Sequence, residues 1–545
     1  MSSLRRLLTL AALAVGPLVV LAIFFALPIW GMVTRGLFVD GAVDLGGIVE
    51  VMSRPRTRRV LWFTLWSAGA ATGVALALGL PAAYVLHRLA FPGRGVVRAL
   101  MIVPFVLPTV VVGIAFRQLF AGPLAGLGLD GSPVAIVCGL AFFNVAVVIR
   151  VVGATWESLD VRPAQAAAAL GASPRQVFAT VTWPALRPAV VSAASVVFLF
   201  CASGFGVVLM LGGLRYSTVE TEIYLLTTQL LDLRAAAVLS LLQLAVVTTL
   251  LAIAARLRAV ADPTQRRQVA QPRRVGWRQA PILVGVATLM LLVIAPMATL
   301  VTGSLQVSGG WGLDNYRALT TPGASQALVV PVSHALTTSL RIAGQATVIA
   351  LTLALPIAIV AGRRARTSTE RRLQGVLDGL FMLPLGVSAV TLGFGFLITL
   401  NAPPLDLRSS PWLVPLAQAL IALPLVVRTL VPVLQGIDDR QRQAAASLGA
   451  GLVRRVVTVD LPVIWKPLLA ASGFAFAVSL GEFGATSFLA RAGDPTMPVV
   501  IYRLIGHPGP MNYGMALAAS VVLAATTAVV MLAVERLRVR SVGAL

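Results

Sequence analysis

Few residues in this sequence could do covalent, metal or acid–base chemistry, and fewer stand at a spacing that would let them. There is one lysine, Lys466, with three histidines, His87, His334 and His507, and two cysteines, Cys138 and Cys201, in 545 residues. A phosphate-cradling loop needs Gly-x4-Gly-Lys-Ser/Thr, so that the lysine reaches the nucleotide phosphates. Lys466 lies in Trp465-Lys466-Pro467 with no glycine loop before it. The histidines fall in different loops, and neither His-Glu-x-x-His nor Cys-x-x-Cys occurs. Both cysteines sit inside apolar runs and read as small buried hydrophobes. The pattern argues against a built-in ATPase, a metalloenzyme and a nucleophilic hydrolase. One acid stands out. Glu482 lies within the apolar stretch 467–490, where an ionisable group costs about 3 kcal/mol on insertion scales unless it faces water or a partner. It either faces a solute pathway, gating it or attracting a cation, or sits near the interface hydrogen-bonded to Ser479 or neighbouring backbone.

The elements that must carry these residues are set by composition. Hydrophobic residues make up 58% of the chain and charged ones 12%, against about 25% charged in a soluble domain. Apolar blocks long enough to cross a bilayer fall near 8–34, 60–86, 99–120, 133–154, 186–211 and 235–257. A second set follows near 281–304, 335–361, 376–400, 411–435, 467–490 and 514–534. Only helices and closed barrels satisfy the backbone in lipid, and barrel strands would alternate, so the sequence predicts about twelve transmembrane helices in an all-α polytopic fold. The basic N-terminus and first apolar block resemble a signal peptide, but the apolar core is too long, so a retained span is expected. The net charge of +23 is almost all arginine and lies between the apolar blocks, which reads as topology and not as nucleic-acid binding. It predicts both termini in the cytoplasm, together with a basic linker over 259–280. The cluster Arg54, Arg56, Arg58 and Arg59 falls on the outer side and departs from that rule.

The two sets of blocks are copies. At an offset of 278, Gln165-Ala-Ala-Ala-Ala-Leu-Gly171 aligns with Gln443-Ala-Ala-Ala-Ser-Leu-Gly449, and Pro184 with Pro462. The same offset aligns Arg150 with Arg428, Phe205-Gly206 with Phe483-Gly484, and Ile223-Tyr224 with Ile501-Tyr502; at 275, Pro81 falls on Pro356. The halves are thus 1–258 and 281–545, each with six spans. An even number per copy makes the repeats parallel, related by an axis along the membrane normal.

Each half has one patterned loop between its fourth and fifth spans, about 157–184 and 436–462. In the first, Asp160 can cap a helix through Ala166–Leu170 that Gly171 ends, and Ser173-Pro174 can start a second short helix. Asp438, Ala444–Leu448 and Gly449 repeat the plan. Such a helix is too short to span, and its small residues offer a surface for close approach.

The loop Gln165-Ala166-Ala167-x3-Gly171-x9-Val181-x-Trp183-Pro184 resembles the Glu-Ala-Ala-x3-Gly-x9-Ile-x-Leu-Pro loop of ATP-binding-cassette importer permeases. Gln443-Ala444-Ala445-x3-Gly449-x9-Val459-x-Leu461-Pro462 resembles it more closely still. Both copies carry glutamine where that family has glutamate. The resemblance implies a permease with both halves fused, with these loops as coupling helices on two copies of a cytoplasmic ATPase. It also implies a binding protein delivering solute from outside, with ATP and magnesium held by the partner and no cofactor on this chain. The segments Leu211-Gly212-Gly213, Ser217-Thr218-Val219-Glu220 and Glu222-Ile223-Tyr224 look most like thiamine or thiamine-diphosphate permeases, with iron(III) permeases the alternative. Gly481-Glu482-Phe483-Gly484-Ala485-Thr486 is also similar to molybdate and sulfate permeases. On the same ground Phe205, Tyr224, Glu222, Glu482, Phe483 and Tyr502 are the candidate pathway residues. An ion-driven secondary transporter, the alternative from another class, would need several intramembrane acids and broken helices near the midplane, and the sequence offers essentially Glu482 alone.

Overall fold

The computed structural model describes residues 3–213, 215–259, 273–274, 280–307, 310–321, 328–363, 365, 367–401 and 405–540, and within them the chain is almost wholly helical. The predicted linker over 259–280 lies almost entirely outside the described residues. In the first half α1 (Ser3–Leu21) runs through a π-helical turn into α2 (Leu27–Leu37). Then come α3 (Leu45–Ser53), α4 (Pro55–Arg88), α5 (Arg94–Val106), α6 (Thr109–Ala121) and α7 (Pro133–Ser158). The short α8 (Arg162–Ala169) and α9 (Pro174–Val177) precede α10 (Trp183–Ala202), α11 (Gly206–Gly212), α12 (Val219–Thr228) and α13 (Leu233–Ala259). The second half repeats the order as α14 (Ala280–Ser304), α15 (Asp314–Ala318), α16 (Val332–Ala361), α17 (Ser368–Met382), α18 (Ala389–Thr399) and α19 (Leu413–Gln435). It ends with α20 (Asp439–Ser447), α21 (Leu452–Arg455), α22 (Leu461–Leu480), α23 (Thr486–Leu489), α24 (Met497–Gly506) and α25 (Pro510–Arg540).

Among the described residues ten helices are long and apolar enough to cross a bilayer by themselves. The other two predicted blocks, near 99–120 and 376–400, are helical but each is interrupted. Pro108 stands between α5 and α6, and Pro384 lies in the tight turn Leu383–Gly386 between α17 and α18. Proline lacks an N–H and cannot continue the helical hydrogen-bond ladder, and a proline stands at each of these two breaks. Ser388 restarts α18 by accepting the Thr391 N–H at 3.0 Å. Broken helices therefore do not separate a secondary transporter from the leading reading. Large apolar side chains such as Trp62, Val284, Leu291, Val348 and Val529 stand outward, where a bilayer would cover them.

The chain divides into two compact units, one of Met1–Ile48, Leu226–Leu241 and Asp314–Leu545, the other of Val49–Leu225 and Leu242–Leu313. In the second of these, α4 packs along α7 and α10, and α14 lies against α6 and α4. In the first, α16 packs along α19 and α22, while α1 lies on α16 and α2 on α18. The opening helix of each sequence half therefore belongs to the unit built mainly from the other half. Both units rest on one device. Ala68, Ala71, Ala75 and Ala83 of α4 are fully buried, and so are Ala343, Ala346, Ala350 and Ala358 at the matching register of α16. Small side chains let helix backbones come close where lipid supplies no hydrophobic drive between helices. At Gly79 of the same stripe an added Cβ would stand 2.7 Å from Val148.

Contacts at the starts of α12 and α24 show the duplication in finer detail. The Val219 N–H that opens α12 donates to Thr64 Oγ1 of α4 at 3.0 Å, and the Met497 N–H that opens α24 donates to Ser339 Oγ of α16 at 2.8 Å. These are matching positions in the two halves. The neighbouring contact keeps its place but changes chemistry: Phe63 meets Tyr216 ring to ring at 5.5 Å, whereas Thr338 donates to Asp494 Oδ1 at 2.9 Å. Arg341 donates to Asp494 Oδ2 at 3.0 Å, and His334 Nε2 lies 3.2 Å from Oδ1. Burial resists ionisation of Asp494, but these hydrogen bonds and charges outweigh it and hold the carboxyl below its ordinary range.

Two measurements check this layer. Thr64→Val and Ser339→Ala each leave a buried backbone N–H without its acceptor, and each should lower unfolding stability by about 1–3 kcal/mol. Thermal unfolding of the purified variants in detergent reads this, and unchanged midpoints would contradict the shared contact. For Asp494 the folded pKa is depressed, so its contribution is present above the ordinary carboxylate value near 4 and is lost as pH falls through the depressed value. Asp494→Asn should therefore lower the melting temperature at pH 7, and the difference from wild type should close below about pH 4. A difference that does not change with pH would contradict an ionised contact.

Candidate functional site: two exposed loop helices

The two patterned loops fold alike. Ahead of α8, Asp160 Oδ1 accepts the Arg162 N–H at 2.9 Å; ahead of α20, Asp438 Oδ1 accepts the Arg440 N–H at 3.0 Å. Each helix ends as its alanine–glycine pattern predicts. The Gly171 and Ala172 N–H groups return to the Ala168 and Ala167 carbonyls at 3.0 and 3.1 Å, and those of Gly449 and Ala450 to Ala446 and Ala445 at 3.0 Å each. Gly171 has φ +88° and Gly449 φ +80°, the left-handed conformation in which glycine carries no Cβ penalty. Ser173 and Gln176 then form a reciprocal cap on α9, with bonds of 2.8 and 3.4 Å. Both loops re-enter the membrane helices through a π-helical turn at the same register, Phe178–Thr182 before Trp183-Pro184 and Val456–Asp460 before Leu461-Pro462.

No residue of α8 or α20 is buried. Gln165, Ala166, Gln443, Ala444, Pro184 and Pro462 are exposed, while Ala167 and Ala445 are half-buried. The sequence reading missed the most telling pair. Leu170 and Leu448, immediately before the two glycines, are 89% and 88% exposed, more than any other large apolar side chain described. The signal was present as a leucine at one register in both copies, but periodicity alone cannot tell an exposed leucine from a buried one.

The candidate pathway residues and the charged residues near them are placed as follows. Glu482 is buried, with Oε1 accepting the Ala485 N–H at 2.8 Å and Oε2 the Thr486 N–H at 3.1 Å and the Thr486 hydroxyl at 2.5 Å. Gln418 in turn donates to that hydroxyl at 3.1 Å. The carboxyl group thus holds the interruption between α22 and α23 through these bonds. The matching residue in the first half is Gly204, which can make no such cap. Phe205 packs on Tyr224 with ring centroids 5.4 Å apart, and Phe483 on Tyr502 at the same 5.4 Å. In each unit this contact fixes the segment after the interruption to the short helix that follows. Glu222 is buried and takes Arg56 on both oxygens, at 2.5 and 3.0 Å. Arg54 pairs with Glu50 at 3.1 Å. Part of the arginine cluster that breaks the topology rule is therefore consumed in ion pairs. Glu220 is fully buried and accepts from Gln243, and Asp232 accepts the Ala235 N–H at the start of α13 at 2.9 Å.

The family model of the binding-protein-dependent transport system inner membrane component matches the chain twice, over residues 75–267 and 354–541, which together are well over half of it. The chain is 29% identical over 467 residues to the thiamine transport system permease protein ThiP of Brucella abortus, covering 82% of each chain. It is 28% identical over 462 residues to the protein of the same name from Escherichia coli, covering 82% of this chain and 83% of the other. A Sinorhizobium fredii protein named a probable ABC transporter permease is 24% identical over 551 residues, 94% of each chain. The repeated loop, the repeated helix order and the double match agree: the chain belongs to the family of binding-protein-dependent transport system inner membrane components, as a multi-pass permease with both halves fused in one polypeptide.

Proposed function

We propose that this chain is the translocation subunit of an ATP-driven importer for thiamine or its phosphate esters, and that α8 and α20 are its two coupling helices. The observation that carries the coupling role is the exposed Leu-Gly end presented twice at one register. An apolar side chain almost fully in water on a polar loop is stable when a partner covers it. Each leucine offers a knob to one copy of a cytoplasmic ATPase, and the flanking alanines permit close approach. The substrate rests on the names of the relatives and on the first-half segments around Leu211–Tyr224. The partner supplies ATP and magnesium, a binding protein supplies the solute, and this chain supplies two states of access. Nucleotide and solute must bind those states with different affinity, since a ligand that binds both equally shifts neither. The arginines between spans support both termini in the cytoplasm of a prokaryotic cell.

Gly171→Arg and Gly449→Arg test the coupling role. Nothing lies within 4 Å of a Cβ added at either glycine, so the cost is backbone strain of about 1 kcal/mol, together with a bulky charge beside the leucine. Both variants should reach the membrane at normal level while losing co-purification with the cognate ATPase and losing uptake. Gly449→Arg should be the more severe, because its loop keeps the Leu-Pro ending. Full ATPase binding and uptake in both would contradict the role. The substrate is tested by reconstitution with the ATPase and binding protein encoded beside this chain: thiamine should accumulate in the vesicle with ATP and not without it. The chain purified alone should not hydrolyse ATP, because the lysine-bearing phosphate loop is missing.

A further inference from the structure

We propose that Arg442 is a positioning residue that gears the second loop helix to the membrane helices on either side, so that the two loops transmit movement unequally; this rests on the coupling role given to α8 and α20. Although α20 buries none of its residues, the Arg442 side chain is only 12% exposed. Its guanidinium makes three bonds: Nε to Asp460 Oδ1 at 2.8 Å, Nη1 to Asp439 Oδ1 at 3.2 Å and Nη2 to the Leu434 carbonyl at 3.0 Å. Leu434 is in the last turn of α19 and Asp460 immediately precedes α22. One rigid, planar side chain on the loop helix therefore grips both the helix that enters the loop and the helix that leaves it. The Asp460 side chain is 2% exposed, so salt screens the pair little, and removing either partner strands the other.

The first half has no counterpart. The positions of Arg442 and Asp460 are Ala164 and Thr182, and that of Asp439 is Val161. Its ionic tie stands elsewhere: Glu157 in the last turn of α7 meets Arg98, with His87 Nδ1 at 3.0 Å and Arg94 at 3.6 Å. That cluster joins α7 to α4 and α5 before α8 begins, while α8 itself is closed by the Asp160 side chain and its glycine end. The second half has Gln435 at that place, donating to the Ala361 carbonyl at 3.3 Å. A push on α20 thus passes to α19 and α22 without side-chain slack, whereas α8 can tilt. Arg442 is largely buried against Asp460 and the end of α19 while Leu448 is 88% exposed, so its loss should leave docking in place and waste hydrolysis.

The test has two arms. In the first, the purified chain with Cys138 and Cys201 replaced carries a nitroxide on Ser447→Cys or on the matching Ala169→Cys, both exposed positions. Arg442→Gln or Asp460→Asn should raise label mobility at 447 and leave that at 169 unchanged, and Arg442→Asp with Asp460→Arg should restore part of the order. Should Asp460→Asn fail to accumulate, Arg442→Lys keeps the charge, loses the fork and should raise mobility to a lesser degree. In the second arm, the complex with ATPase and binding protein is reconstituted and ATP hydrolysed per thiamine accumulated is measured. That ratio should rise about tenfold, the scale of a typical coupling between sites, with ATPase co-purification at wild-type level. Unchanged mobility at 447 overturns the clamp. A looser label with an unchanged ratio overturns the gearing, and loss of ATPase binding in Arg442→Gln overturns it by placing Arg442 in the docking surface. Failure of the wild-type chain to bind an ATPase removes the reading beneath and the proposal with it, while the mobility arm still reports on the clamp itself.

Discussion

A polypeptide in hydrocarbon must satisfy its own backbone, because lipid offers no hydrogen bonds. A chain of uninterrupted helices meets that demand easily, but this one interrupts its helices between α5 and α6, α10 and α11, α17 and α18, and α22 and α23. Several of the helix starts that follow are closed by side chains. Ser388 accepts at the start of α18, Glu482 accepts two backbone N–H groups and a hydroxyl at the start of α23, and Thr64 and Ser339 receive the first N–H groups of α12 and α24. These polar residues act first as closures of helix ends, while others, such as Thr72, Ser240 and Thr347, bond a carbonyl of their own helix. Their positions then fix where the backbone can leave helical form and where a passage could be lined.

Duplication set this pattern twice, and divergence has since acted on chemistry more than on geometry. The stripes of buried alanine on α4 and α16 match residue for residue, and the two phenylalanine–tyrosine contacts have equal ring separation. Elsewhere the same place holds a different interaction. A ring pair at Phe63 and Tyr216 corresponds to an ionic knot at Thr338, Arg341 and Asp494. The ion cluster on Glu157 corresponds to an amide at Gln435, and the Arg442–Asp460 pair corresponds to an alanine and a threonine. Ion pairs out of water are sensitive to loss of either partner, so these substitutions make the halves mechanically unlike while leaving them superficially alike. A heteromeric ATPase is not needed for the two loops to behave differently.

Much of this was legible in the sequence for a physical reason: bilayer thickness and backbone satisfaction leave long apolar runs with a single structural solution. The span positions, the loop helices, their glycine ends and the Ser173 cap follow from local rules that act over a few residues. The breaks at Pro108 and Pro384 were hidden by continuous hydrophobicity, although the prolines themselves were visible. Partner choice over long separations was not legible. Nothing near Arg442 in sequence points to Asp460, and nothing near Arg56 points to Glu222. Glu482 stood out as an anomaly, yet only its geometry shows that the carboxylate is turned onto the backbone of its own interruption.

The central claim is that the two loop helices are covered by an ATPase, one subunit on each. Its most direct measurement is the reactivity of cysteines placed at Leu170 and Leu448, in a chain lacking Cys138 and Cys201, toward a membrane-impermeant maleimide in inverted vesicles. If α8 and α20 each dock an ATPase subunit, both sites should react rapidly when the ATPase is stripped away and be protected when it is restored. Equal labelling of both sites with and without the ATPase would contradict it.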